Sequence, residues 1–206
     1  MAAPSDQAGN IRISDPRALK ALAHPARNKI LERLQVYGPA TATDCAAVAG
    51  MSPSACSYHL RMLERYGFVE AGHAEDARDR GDGRERVWRA VVRGWSSHAG
   101  PGVDAAEMQA IDMALARVLL ASSDEKVLAW VDQSAQDSPP WRQASLISNS
   151  PIAVTTEELR QIQDDIQAVL KPYLLRDRDA GDLPPEARLV HAAVRLTPAV
   201  SPAPGE

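Results

Sequence analysis

The sequence predicts a mainly α-helical protein, in which a helical domain closed by one antiparallel hairpin precedes a second helical region with one or two short strands. Three observations lead there. Apolar residues recur at three- and four-residue steps through most of the chain, the period of a helix face. Aromatics make up only 4% of the 206 residues, with a single Phe, so the core must rely on Leu, Val and Ala, which suits close-packed helices better than stacked sheets. Only Phe68–Ala71 and Val87–Val92 read as neighbouring strands in the first half, separated by a polar, Gly-containing stretch.

The elements follow in order. Residues 1–14 are polar and unpatterned and are read as a disordered arm. Asp15-Pro16 supplies an N-cap and a proline at the first helical position, and Leu19 and Leu22 give that helix its apolar stripe. His24-Pro25 interrupts it, because the residue before proline is pushed out of the helical region. A second helix is expected over Pro25–Tyr37, with Ile30, Leu31 and Leu34 inward and Gly38 at its end. Thr41 and Asp44 form a capping box that opens a short helix, with Cys45, Ala46 and Val48 inward. After the break at Gly50-Met51, Ser52 caps a further helix and Pro53 takes its first position. Cys56, Leu60 and Leu63 define its inner face, and Tyr66-Gly67 closes it. Two helices joined by so short a turn form a helix-turn-helix signature, and the hairpin that follows completes a winged helix plan. A lone hairpin is only marginally stable, so the helices must cover it.

Beyond Gly100-Pro101-Gly102 a long helix is expected from Val103 to about Val131, with Met108, Ile111, Leu115, Val118, Leu119, Val127 and Leu128 recurring at helical steps. Ser122-Ser123-Asp124 marks a break or a fresh cap. Residues 134–140 read as a linker, and irregular strands are expected around 144–147 or 152–154. Thr155 and Glu158 then open a helix striped by Leu159, Ile162, Ile166, Val169, Leu170 and Tyr173. Leu189–Leu196 alternates like a late strand. The domain plan is an arm at 1–14, a winged helix-turn-helix DNA-binding domain at 15–95, a helical dimerisation or effector-binding region at 103–197, and a disordered tail at 198–206.

Composition and charge narrow the function classes. With 45% hydrophobic and 24% charged residues the chain is too apolar to be wholly disordered. No run of eighteen apolar residues occurs, which excludes a spanning helix and a membrane partner. The opening MAAPSDQAGN has neither a basic start nor an apolar run, so no signal peptide is expected. Two cysteines make no disulfide framework, and a reducing cytoplasm is the expected location. The formal charge of -4 hides an asymmetry: residues 15–95 hold 13 Lys and Arg against 10 Asp and Glu, or +3, leaving -7 for the rest. A basic first part carrying a strip of arginines, joined to an acidic second part, suits a DNA-binding domain with a separate module, although an unevenly charged surface reads the same way.

Over residues 15–92 the sequence resembles the ArsR-type family of bacterial winged-helix regulators. The resemblance rests on Ala21-Leu22-Ala23-His24-Pro25-Ala26-Arg27, on Ile30-Leu31 and Leu34, and on Thr41, Asp44 and Gly50. Its strongest part runs from Ser52 to Leu60, followed by Leu63 and Gly67-Phe68-Val69. It implies a homodimeric repressor that binds an operator of imperfect two-fold symmetry and releases it when an effector binds. The second half resembles the helical extension of members without a metal site. The family's metal-sensing cysteines would fall at Thr41, Thr43 and Ala46, which carry no thiol, so neither metal nor other cofactor is expected. Cys45 and Cys56 are read as small buried hydrophobes, with a redox pair across two packed helices as the alternative.

In a helix-turn-helix the second helix presents its N-terminal part to base edges in the major groove. With Cys56, Leu60 and Leu63 inward, Ser54, Ala55, Ser57, Tyr58 and Arg61 are left for DNA, with His59 near the rim and Arg65 further along. Ser54 and Ser57 can bond bases or phosphate, the Ala55 methyl can meet a thymine methyl, and Arg61 can reach guanine or phosphate. Packing at the rim is the competing role for Tyr58 and His59, and capping alone explains Thr41 and Ser52, although helix starts also bind phosphate. Arg78, Arg80, Arg84 and Arg86 on the hairpin suit phosphates or a narrow minor groove, with Arg89 at the flank. Asp76, Asp79, Asp82 and Glu85 interleave with them, so a self-paired loop competes. Trp88 is read as core or dimer packing. Trp130, Trp141 and Tyr173 line either a core or a small effector pocket. No catalytic set stands out, and an enzyme is not expected. The expected partners are double-stranded DNA, a second copy of the chain and a small effector. The competing function is a winged-helix protein-interaction module without specific DNA binding.

Overall fold

Side chains close in sequence set most helix ends in this protein, whose computed structural model describes residues 10–72, 86–92, 94–97, 103–175, 178 and 183–199. Asp15 caps α1 (Pro16–Leu22) by accepting the Arg17 N–H at 2.8 Å. His24 caps α2 (Pro25–Tyr37) through its Nδ1, which accepts the Ala26 N–H at 3.2 Å. Thr41 and Asp44 close a reciprocal box on α3 (Ala42–Ala49), at 3.1 and 2.9 Å. Gly50 ends that helix in the left-handed region, φ 66° and ψ 40°, a conformation that costs a residue with a Cβ. Ser52 caps α4 (Pro53–Arg65). At its far end the Phe68 N–H reaches back to the Leu63 carbonyl across Gly67, whose φ is 76°.

The chain divides into two units, Met1–Asp124 and Glu125–Glu206. In the first, β2 (Ala40–Thr41), β4 (Val87–Ala90) and β3 (Val69–Ala71) form an antiparallel sheet with β4 in the centre. Ala40 and Ala71 both pair with Trp88 in register, from opposite sides. The strand pair β3–β4 is the expected hairpin; the two-residue β2 is an addition to it. Residues 10–13 depart from the expected arm, since β1 (Asn10–Ile13) pairs in parallel with β5 (Gly94–Ser97) and buries Ile13. Pairing across more than eighty residues is a non-local event that local pattern does not announce.

The core of this unit gathers Leu19, Leu22, Ile30, Leu31, Leu34, Leu60, Leu63, Phe68, Val69 and Trp88 around the buried Cys45 and Cys56. The two thiols share a hydrogen bond between α3 and α4, and that bond and burial push the Cys56 thiol upward. The same bond pulls the Cys45 thiol downward, and both cysteines are small buried core residues. Met108, Ile111 and Leu115, in the first three turns of α5 (Ala105–Gln133), complete the same core, and Lys20 bonds Glu107 at 2.7 Å on the surface. No break occurs at Ser122–Asp124; α5 is continuous through 29 residues. Its interior holds no Gly or Pro, so nothing there stops propagation.

In the second unit, α6 (Pro139–Ala144) occupies part of the expected linker, and α7 (Thr156–Leu170) opens with the Thr155–Glu158 box, at 2.7 and 3.2 Å. The strands expected near 144–147, 152–154 and 189–196 do not form; among the described residues of 103–199 there is no strand. Alternation is present in Leu189–Leu196, but its Leu189, Val190 and Val194 are exposed and no edge pairs with it. None of the described residues of 125–199 is buried, and the stripe of α7 is only partly covered. Trp130 and Trp141 are half-buried and Tyr173 exposed, so none is a core residue; Arg188 lies 4.7 Å over the Trp141 ring. Among the described residues no helix is long and apolar enough to cross a membrane.

The fully buried Leu60 couples α4 to everything beneath it. Leu60→Ala is expected to lower stability by about 2–5 kcal/mol, read from the urea midpoint at unchanged denaturant slope; a loss under about 1 kcal/mol would show that α4 is not anchored through this face.

Candidate nucleic-acid interface

The helical period that sends Cys56, Leu60 and Leu63 inward turns the opposite face of α4 to solvent. Ser54, Tyr58, Arg61 and Arg65 are exposed, while Ala55, Ser57 and His59 are half-buried at the flanks. Tyr58 is 57% exposed, and its ring meets that of His59 edge-on. Ser52 Oγ accepts the Ala55 N–H at 3.3 Å and lies 3.1 Å from Ser54 Oγ. Thr41 Oγ1 is similarly engaged with the Asp44 N–H, so both hydroxyls cap helices. Arg65 sits 5.9 Å over the Tyr66 ring, away from the start of α4.

Between α4 and β4 lies a cleft of about 240 Å³. Ser54, Ser57 and Arg61 form one wall, Arg86 and Trp88 the other, and Thr43 of α3 adds to the lining. Trp88 is a core residue, 2% exposed, as one of its two expected roles required. Its ring also carries the Arg86 guanidinium at 5.1 Å, a stacked geometry that limits where the arginine can go. Arg89, expected at the flank, pairs instead with Glu70 directly across the ladder at 2.5 Å. Arg78, Arg80 and Arg84, with the acids among them, lie outside the described residues.

His59 is not simply a rim residue. Its ring lies 4.8 Å from that of His24 and 5.4 Å from that of Tyr58, and its Nδ1 is buried without a hydrogen-bond partner among the described residues. Burial lowers the affinity of both histidines for a proton, and the Arg27 guanidinium lowers it further; at His24 the neighbouring His59 adds to this. Arg27 is itself held by the Ala21 and Lys20 carbonyls, with Tyr58 and Tyr66 nearby. Nothing in the local sequence pattern marked this cluster, because His24 and His59 meet only through the packing of α2 on α4. The Arg86–Trp88 stack joins residues two apart at the start of β4, the spacing of one strand face.

Among the described residues no three His, Cys, Asp or Glu side chains converge as a metal-holding group. Thr43 is exposed and Ala46 buried, so the positions where the resembling family would carry thiolates offer no sulfur ligand.

Residues 22–71 match the model of a helix-turn-helix domain family. Over 72 residues the chain is 39% identical to the HTH-type transcriptional regulator NmtR of Mycobacterium tuberculosis (strain ATCC 25618 / H37Rv), a stretch covering 35% of this chain and 58% of that relative. This part of the chain is a helix-turn-helix domain. The helix-turn-helix match runs from the end of α1 to β3, and β4 pairs with β3 beyond it. Two solved structures show weaker likeness. One is the homodimeric winged helix-turn-helix DNA-binding domain of Mb0332 from Mycobacterium bovis, at 22% identity and TM-score 0.31, covering 54% of this chain and 79% of that one. The other is a doubly substituted ZitR of Lactococcus lactis in apo form, at 14% identity and TM-score 0.29, covering 75% and 85%.

The histidine cluster sets a pH dependence. Both groups have lower proton affinity folded than unfolded, so on acidification the unfolded chain protonates first and stability falls below about pH 6.5, their ordinary value. The His24→Asn/His59→Gln pair, which keeps a capping side chain at 24, is expected to lose less Tm than the wild type between pH 7.5 and 5.5. An equal or greater loss in the double variant would refute the cluster's part in acid sensitivity.

Proposed function

We propose that the chain is a sequence-specific DNA-binding transcriptional regulator acting in the cytoplasm. In this reading it is a repressor that binds a pseudo-palindromic operator as a homodimer and leaves it when an effector binds. The observation that carries the reading is the outward face of α4: Ser54, Tyr58 and Arg61 lie open, with Ser57 half-buried at the flank, beside a cleft that Arg61 and Arg86 line, on a helix whose opposite face is locked into the core. The name of the M. tuberculosis relative, a transcriptional regulator, supports it.

Ser54, Ala55, Ser57, Tyr58 and Arg61 read bases and adjacent phosphates from the major groove. Thr41, Ser52, His59, Arg65 and Arg86, with the wing residues Arg78, Arg80 and Arg84, fix the register on the backbone. One such module makes few phosphate contacts, so affinity requires a pair of reading helices about 34 Å apart, one turn of duplex. Residues 15–95 form the DNA-binding part and 103–197 the dimerisation or effector part. The partly covered stripe of α7 and the far turns of α5 offer apolar surface for a second copy. An effector acts by favouring one spacing of the reading helices over the other.

The test is the mobility of a duplex from the gene's own upstream region against random duplex at about 0.15 M salt. Selective retardation is expected, weakened at least about 10–100-fold by Ser57→Ala/Tyr58→Ala/Arg61→Ala, since a good base contact is worth about 1–3 kcal/mol. Equal weak binding to both duplexes, unmoved by the substitutions, would favour the protein-interaction module, and a monomer in sedimentation would remove the two-fold model.

A further inference from the structure

The geometry points to the cleft between α4 and β4 as a seat for one phosphodiester of the DNA backbone, gripped jointly by Arg61 from the reading helix and Arg86, the residue just before β4. This rests on the DNA-binding reading and sharpens it. The two arginines come from segments far apart in sequence, yet they line one cleft of about 240 Å³ together with Ser54 and Ser57. Among the described residues neither guanidinium is paired with a carboxylate, and no acidic side chain lines the cleft. Two cations without an acidic partner among the described residues, facing a common space, raise its potential and favour an anion over water. A water's share of liquid volume is about 30 Å³, so the cleft has room for a tetrahedral anion and several of its waters.

The anion is a phosphodiester rather than a carboxylate for reasons of shape. Guanidinium forks deliver paired N–H donors, and hydroxyls add single ones, so donors converge from more than one direction on a group with several acceptor oxygens. Arg86 is prepared for this by its platform. Trp88 is buried and fixed in the central strand by pairing on both sides, and stacking on its ring holds the guanidinium before any ligand arrives. Less side-chain freedom is then lost on binding. Seating one phosphate between helix and wing fixes how deeply α4 enters the groove, which no contact made by either element alone can do.

The experiment measures affinity against salt for full-length wild type, Arg61→Gln, Arg86→Gln and the double variant, on upstream and random duplex. Both substitutions fall on exposed side chains, and circular dichroism melts check that each of the three variants is folded. Shared contact to one phosphate predicts that the double variant lowers the slope of log affinity against log salt by no more than about 0.9 per half-site. A drop of about 1.8 would mean two separate phosphates, and no drop would mean none; either overturns the seat. A single neutral methylphosphonate walked along the upstream duplex is expected to weaken the wild type about tenfold at one position per half-site and to leave the double variant unaffected there. Sensitivity of the double variant at that same position would also overturn it. Loss of preference for the upstream duplex with the slope change intact would sink the regulator reading and leave the seat standing. Absence of binding to either duplex would end both.

Discussion

The inward lock of α4 is the constraint on which the rest depends. Cys56, Leu60 and Leu63 are all fully buried, and on a helix of 3.6 residues per turn that fixes the azimuth of every other side chain. Ser54, Tyr58 and Arg61 are exposed because their neighbours are not. The lock is reinforced at both ends, by Ser52 at the start and by the Phe68-to-Leu63 bond across Gly67 at the close. An interface built this way needs no rearrangement to present its contacts, so ordering costs at binding are confined to long side chains.

The sulfur atoms show how one residue type serves different ends in similar folds. Here Cys45 and Cys56 face each other across α3 and α4 inside the core, where the bond between them, with burial, pushes the Cys56 thiol upward. Thr41 is spent on a capping box that fixes the entry of α3. The helix before the turn is thus a packing and positioning element.

Much of the first unit was legible in sequence because its signals are local. Caps at Asp15, Thr41 and Ser52, the break at His24-Pro25 and the stripe on α4 each operate within a few residues, and the structure has them all. What escaped was non-local: β1 pairs with β5, β2 joins the sheet with only two residues, and His24 meets His59 through helix packing. The opposite error occurred at Leu189–Leu196, where alternation suggested a strand but no edge stands ready to accept it. Period alone names a face; it does not supply a partner. Within the candidate interface the α4 residues followed from helical period, whereas the joint lining of Arg61 and Arg86 could be seen only once β4 was set against the helix.

The central place of β4 has a consequence for how the chain can vary in length. Because Trp88 is opposite Ala40 on one side and Ala71 on the other, inserting or deleting one residue within Val87–Ala90 would invert side-chain parity along two ladders together. The indole would swing to water, the Arg89 charge would turn indoors, and the β2 end that leads into α3 would lose its match in the same event. Four residues of this protein therefore tolerate exchange of side chains far better than any change in their number.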